Sequence, residues 1–147
     1  MNPFQQAVGA TVSTSKTVGE SDVYLFAGIT GDFSPNHVDE VAMSATAYGG
    51  RIAHGALLVG YMSRASTLIT DHCAALMETH FPVSLGYDRI RFLEGVRIGD
   101  TITVSYKIEA ADPERMRTIA AASIHNQAGK CCAVATHIMR WLNRHGS

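Results

Sequence analysis

The stretch AHGALLVGYMSRASTLITD, Ala53 to Asp71, limits the possible folds more than any other part of the chain. Leu57, Leu58, Tyr61, Met62, Ala65, Leu68 and Ile69 recur at helical spacing but cover more than one face. A helix that is apolar on several sides is expected to be largely buried. The rest of the chain must therefore supply a layer that packs against it. Gly60 sits in its interior, at a cost of about 1 kcal/mol relative to Ala. A close neighbour, such as a sheet packed on the helix, is the expected compensation. The apolar run from Ala56 to Met62 is far too short to span a bilayer.

That layer is legible downstream. Val83 to Leu93 reads as a long extended run with Ile90 and Phe92 on one face. Arg97 to Asp100, RIGD, reads as a turn. Ile102, Val104, Tyr106 and Ile108 then alternate with polar residues. Ala111 to Glu114, ADPE, turns the chain again. A strand at Thr118–His125, a hairpin connection at NQAGK and a last strand at Cys131–Trp141 follow. Upstream, Ala10 to Thr17 is a further strand candidate. Thr17 and Glu20 have the spacing of a capping box. Val23, Phe26 and Ala27 fall at helical spacing, and Gly31 ends that helix. Val38 to Ala47 holds a short helical piece, broken by Tyr48-Gly49-Gly50. One strand, a helical middle and four strands in meander order predict an α+β fold, an antiparallel sheet with one long helix against it.

Residues 1–147 are read as one domain, long enough to bury a core. With 46% apolar and 17% charged residues the chain is not disordered. The net charge of −1 and the lack of a basic stripe give no sign of a nucleic-acid partner, and none is expected. The start, MNPFQQAVGATVS, lacks a basic segment followed by an apolar one, so no signal peptide is expected. The setting expected is cytoplasmic, with no membrane partner. Cys73, Cys131 and Cys132 make no disulfide framework and no CxxC pair. They are expected to be small buried hydrophobes.

Two stretches carry chemistry. In TGDFSPNHVDE, Thr30 to Glu40, Asp32 and His37 flank Pro35. The proline fixes its own φ and biases Ser34 toward extended backbone. The chain folds back, bringing a carboxylate and an imidazole toward one concavity, where they can share proton transfers. The plainer alternative is a polar turn with Asp32 capping backbone N–H groups. Asp39 reads as a helix N-cap. A metal held by Asp32, His37 and Asp39 has weak ligand spacing, and none is expected.

The second stretch is Ala53-His54-Gly55. The first N–H groups of a helix lack intrahelical partners, the dipole is positive there, and a glycine lets a carbonyl approach. Gly55 therefore suits an oxyanion hole, or it simply eases helix entry. His54 is expected to be structural, hydrogen-bonded at the helix entrance. Ser63 lies about two turns further along roughly the same stripe. It either bonds back to a carbonyl or faces a pocket.

Together, AGITGDFSPNHVDE and GGRIAHGALLVGYMSRA resemble the MaoC-like dehydratase family, which includes (R)-specific enoyl-CoA hydratases. The family motif runs Gly-Asp-x-Asn-Pro-x-His-x-Asp, then an Ile-x-His-Gly helix entry. Asp32, Pro35, His37, Asp39, Ile52, His54 and Gly55 match it position by position, and DRIRFLEGVRIGDTI looks like the family segment ending in Gly-Asp-Thr. The resemblance implies a hot-dog fold, an antiparallel sheet wrapped around the long central helix, paired into homodimers. It implies catalytic roles for Asp32 and His37, a carbonyl contact from the Gly55 N–H and a supporting polar role for Ser63. Ser34 replaces the family's asparagine, and Asn36 replaces an apolar residue. These departures bear on water positioning and substrate range more than on reaction class.

The reading is a hydro-lyase that adds water reversibly to a trans-2-enoyl-CoA. The product is a 3-hydroxyacyl-CoA, the (R) isomer by resemblance. Its partner is an acyl-CoA thioester, with no cofactor beyond the coenzyme A of the substrate. Arg51, Arg64, Arg89 and Arg91 are the candidates to meet the CoA phosphates. The rivals are a hot-dog acyl-CoA thioesterase and a catalytically silent acyl-CoA-binding domain. An Asp–His pair ahead of the helix, rather than a lone acid on it, counts against the first, and intact Asp32 and His37 count against the second.

Overall fold

Residues 1–146 are described by a computed structural model. A short helix α1 (Pro3–Ala7) precedes strand β1 (Thr11–Thr17). Helices α2 (Glu20–Thr30), α3 (Pro35–Val38) and α4 (Glu40–Ser44) lead to α5 (Gly55–Leu68), which a 3₁₀ turn, Ile69–His72, extends. After α6 (Ala74–Met77) come β2 (His80–Phe92), β3 (Thr101–Asp112), β4 (Arg117–His125) and β5 (Cys131–Asn143). The sequence gives no sign of α1 and α6. At 5 and 4 residues they are too short to show a period.

The strands form one antiparallel sheet in the order β1-β3-β4-β5-β2. The α+β class is as expected, but the meander holds only from β3 to β5. β2 lies at the far edge, against β5. The chain from Leu93 to Asp100 is a crossing and not a hairpin. The Leu93 N–H donates to the Cys132 carbonyl at 2.8 Å, and Ile52 forms an isolated bridge with Arg97. Only then does the turn at Arg97–Asp100, with Gly99 at φ 97°, feed β3.

Helix α5 lies across β1, β3 and β4. Its Leu58, Met62 and Ala65 are buried with Ile102, Val104, Tyr106 and Ile108 of β3 and Ala120, Ala122 and Ile124 of β4. The two alanines leave room for the helix to sit close. Each large apolar side chain buried here contributes about 1.5–3 kcal/mol. The buried surface of α5 is narrower than its composition suggests. Leu57, Tyr61 and Leu68 are half-buried, and Ala56, Gly60, Ser63, Arg64 and Thr67 are exposed. The neighbour expected at Gly60 is not there: a Cβ at that position would meet nothing within 4 Å.

Other boundaries differ for local reasons. Gly19 caps α2, its N–H donating to the Asp22 carboxylate at 2.7 Å. Thr17 stays in β1, its hydroxyl bonded to that of Thr101, so it forms no capping box with Glu20. Gly31, at φ 81°, ends α2 as expected. The helical piece read at Val38–Ala47 is divided at Asp39, which caps α4 by accepting from the Ala42 N–H at 2.9 Å. Helix α5 begins at Gly55 and not at Ala53, because Ile52 and Ala53 are extended. Their N–H groups donate to the carbonyls of Asn36 and Val96. Cys73 and Cys132 are buried, Cys131 is half-buried, and all are free thiols. No helix among the described residues is long and apolar enough to cross a membrane.

Candidate active site

Three elements converge on the N-terminus of α5. The left-handed Gly31 turns the chain out of α2 into Asp32. The Asp32 carboxylate is exposed and accepts from the Ser34 N–H at 3.3 Å, a local turn that leaves its other oxygen free. Pro35 then opens α3, and His37 sits on that helix, only 8% exposed. It is thus a buried helical residue and not part of an exposed polar turn.

Hydrogen-bond partners fix both imidazoles. His37 Nδ1 lies 2.7 Å from the Ile52 carbonyl, which can only accept, so Nδ1 carries the proton and donates. The Nε2 lone pair of neutral His37 is then unspent. His54, 2% exposed, donates from Nε2 to the Asp32 carbonyl at 2.9 Å. Its Nδ1 is buried with no partner. The two rings stack, centroids 3.6 Å apart, and Phe26 covers His54 at 4.7 Å. His54 thus grips the Asp32 backbone with its edge and the His37 ring with its face. One carboxylate oxygen of Asp32 and one ring nitrogen each of His37 and His54 lie within 4.8 Å of one another. Asp39, weighed above as a third ligand, is instead spent on its cap.

Beside this group opens a cleft of about 560 Å³. Its walls include Asn36, His37, Tyr48, Ile52, Gly55 and Phe92. No side chain caps α5, so the positive end of a 14-residue helix faces this space. Gly55 has a second reason to be glycine. A Cβ there would lie 2.6 Å from the Phe92 ring. Gly95 likewise leaves room for the Tyr48 ring, which would lie 2.8 Å from a Cβ. Both aromatic walls therefore rest on bare backbone. Sequence reasoning missed Phe92 and Tyr48 as parts of the site, although Phe92 lies within the DRIRFLEGVRIGDTI segment, because their seats are glycines distant in the chain.

Ser63 is not brought to this cleft. It lines a separate depression of about 370 Å³ with Ser66, Thr67, Thr70 and Ser84, and its carbonyl accepts from the Ser66 hydroxyl at 2.7 Å. The arginines separate as well. Arg51 is pinned between Glu20 and Glu40, which hold its guanidinium charged well beyond the ordinary range. Arg91 folds back on the Ile90 carbonyl at 2.7 Å. Arg64 and Arg89 are exposed.

Residues 3–128 match the family model for the MaoC like domain. The chain belongs to the MaoC-like family. Relatives of this MaoC-like domain include an (R)-specific enoyl-CoA hydratase of Rhodospirillum rubrum. That protein is 36% identical over 110 residues, which cover 73% of this chain and 69% of the relative. A 3-hydroxybutyryl-CoA dehydratase of Methylorubrum extorquens is 35% identical over 114 residues, covering 75% of this chain and 65% of the relative. The unliganded R-hydratase of Pseudomonas aeruginosa superposes with a TM-score of 0.72 at 26% identity, covering 95% of this chain and 87% of that one. The sheet around the helix of this MaoC-like domain is the hot-dog fold.

Proposed function

We propose that this MaoC-like domain is a hydro-lyase that hydrates a trans-2-enoyl-CoA to the (R)-3-hydroxyacyl-CoA and runs the reverse dehydration. The observation that carries the reading is the unspent His37 Nε2 beside the exposed Asp32 carboxylate, both at the open N-terminus of α5. The names of the relatives support the substrate class. The thioester carbonyl accepts from the Gly55 N–H, so the charge that develops on its oxygen meets the helix dipole. Asp32 orients a water molecule. His37 Nε2 takes a proton from it as the oxygen bonds to C3, and the Ile52 carbonyl steadies the resulting imidazolium through Nδ1–H. The electron pair of the C2–C3 double bond moves toward the thioester as an enolate. The imidazolium then returns its proton to C2. One water is consumed, the charge balances, and both additions come from one face.

The active form is proposed to be a homodimer. Among the described residues the outer edge of β2 has no strand beside it and nothing covers Gly60, and Phe81 and Leu85 of β2 are exposed. An uncovered edge of this length favours a partner strand. The deciding experiment mixes the purified protein with crotonyl-CoA and follows loss of conjugation and release of free thiol, with light scattering at micromolar concentration beside it. Lost conjugation without thiol supports hydration. Thiol release selects the thioesterase, and neither change selects a binding domain. A monomer contradicts the dimer.

A further inference from the structure

The mechanism leaves Phe92 without a role, yet its placement is unusual. Residues of β2 that face the core include Tyr87, stacked on His137 with centroids 4.2 Å apart, and half-buried Ile90. Strict alternation from Tyr87 puts Phe92, five residues on, on the opposite face. The strand does not alternate strictly. Its register shifts between Asp88 and Arg91, where Arg89 takes a left-handed φ of 53°. The bulge adds one residue and reverses the parity. Phe92, opposite Ala133, then points inward over Gly55. Without this local irregularity the ring faces solvent and the cleft loses a wall.

The ring is seated on one side only. One face rests on Gly55, yet Phe92 is 54% exposed, and Leu93 next to it is 55% exposed. The remaining surface borders the cleft, whose other walls near α5 are the apolar side chains of Ile52, Leu58 and Val96 and the ring of Tyr48. The apolar part of this lining suits the tail of a group bound between the Gly55 N–H and His37 Nε2. We propose that Phe92 is the specificity-determining residue for the acyl group: its ring shortens the apolar run of the cleft and selects short 2-enoyl chains. This rests on the acyl-CoA reading above. It goes beyond that reading by naming the residue that sets chain length and the bulge that aims it.

The test compares wild type, Phe92→Ala, Phe92→Leu and Phe92→Trp. Each is assayed for hydration of crotonyl-CoA and trans-2-octenoyl-CoA, and for binding of butyryl-CoA and octanoyl-CoA by calorimetry. In Phe92→Ala the octenoyl-to-crotonyl ratio of kcat/KM is expected to rise about tenfold or more, the size of discrimination an apolar pocket achieves. Phe92→Leu shifts it the same way by less, and Phe92→Trp shifts it the opposite way. Should the alanine variant not fold, the leucine and tryptophan variants carry the comparison. A ratio that stays within twofold across the folded variants, with crotonyl-CoA hydrated, overturns the role of Phe92 and leaves the hydratase reading standing. A shifted binding ratio without hydration by wild type supports Phe92 and overturns the hydratase reading. Absence of both binding and hydration in wild type overturns both.

Discussion

Two histidine clusters lie in this molecule, one at the N-terminus of α5 and one between β2, β3 and β5, and they are built alike. His37 stacks on His54, and His137 stacks on Tyr87. Each of the three imidazoles is buried, and each has a nitrogen held by an oxygen partner. The difference lies in what remains. His137 is bonded at both nitrogens, to the Tyr106 hydroxyl at 2.7 Å and the Ser84 hydroxyl at 2.8 Å. Burial pushes its pKa down to about 4. His37 keeps one nitrogen free next to a carboxylate and an open cleft. Burial of a histidine therefore says little about function. An unspent lone pair at a surface that a substrate can reach is the informative property.

The largest effect should come from the cluster with the free nitrogen. Asp32→Asn and His37→Gln are each expected to lower the rate of crotonyl-CoA hydration by about a hundredfold to ten-thousandfold, the usual span for a general acid or base. The double variant loses less than the product, because the two groups act on one water. Melting curves beside the rates separate chemistry from folding. His37 variants lose about 1 kcal/mol or more of stability with the bond to the Ile52 carbonyl, whereas Asp32→Asn is nearly neutral. Near-normal turnover in either folded variant would remove the distinction between the clusters.

The second cluster should respond to pH and not to substrate. The pKa of His137 is about 4 in the folded chain, against an ordinary value of 6.5. Between those values the unfolded chain binds the proton and the folded chain does not. Stability is therefore greatest above about pH 6.5 and falls as the pH drops toward 4. The shift corresponds to at most about 3 kcal/mol. Urea titrations of wild type and His137→Gln across this range provide the check. The variant should show a flatter pH dependence while hydrating crotonyl-CoA within a few-fold of wild type at pH 7. An unchanged slope would mean that other groups drive acid unfolding.

The smallest effect concerns the bulge that joins the two regions, since β2 carries Tyr87 onto His137 and Phe92 onto Gly55. A non-glycine residue in the left-handed region is strained by about 1 kcal/mol. Arg89→Gly should relieve part of that strain and raise stability by a few tenths to about 1 kcal/mol, with the acyl preference unchanged. Arg89→Val should lower stability instead. Denaturant midpoints at constant slope measure both. A destabilised glycine variant would mean that the Arg89 side chain, and not its backbone, holds the bulge.

Much of the site was legible because its parts are close in sequence. Asp32, Pro35 and His37 lie within six residues, and the apolar spacing puts the helix entry within two residues of Gly55. The alternation of β3 was equally plain, and Ile102, Val104, Tyr106 and Ile108 are all buried. The failures share a cause. The edge position of β2 depends on a crossing that no local signal announces. The bulge at Arg89 leaves no glycine in the sequence to mark it. Ser63 lies on nearly the right stripe of α5, yet faces a different depression from Gly55.

The sequence by itself determined the types of the longer elements, the apolar pattern that demands a sheet against a helix, and the residues able to move a proton. These are properties of single side chains and of short-range periodicity, which the chain carries before it folds. Only the tertiary structure decided which histidine nitrogens stay free, which ring fills the space over Gly55 and which strand lies at the edge. Those outcomes depend on partners far away in the chain. Hydrogen bonding spends a lone pair only once the Ile52 carbonyl or the Tyr106 hydroxyl has arrived beside it. Packing likewise assigns Phe92 to Gly55 only after one extra residue in β2 has reversed the direction of the ring.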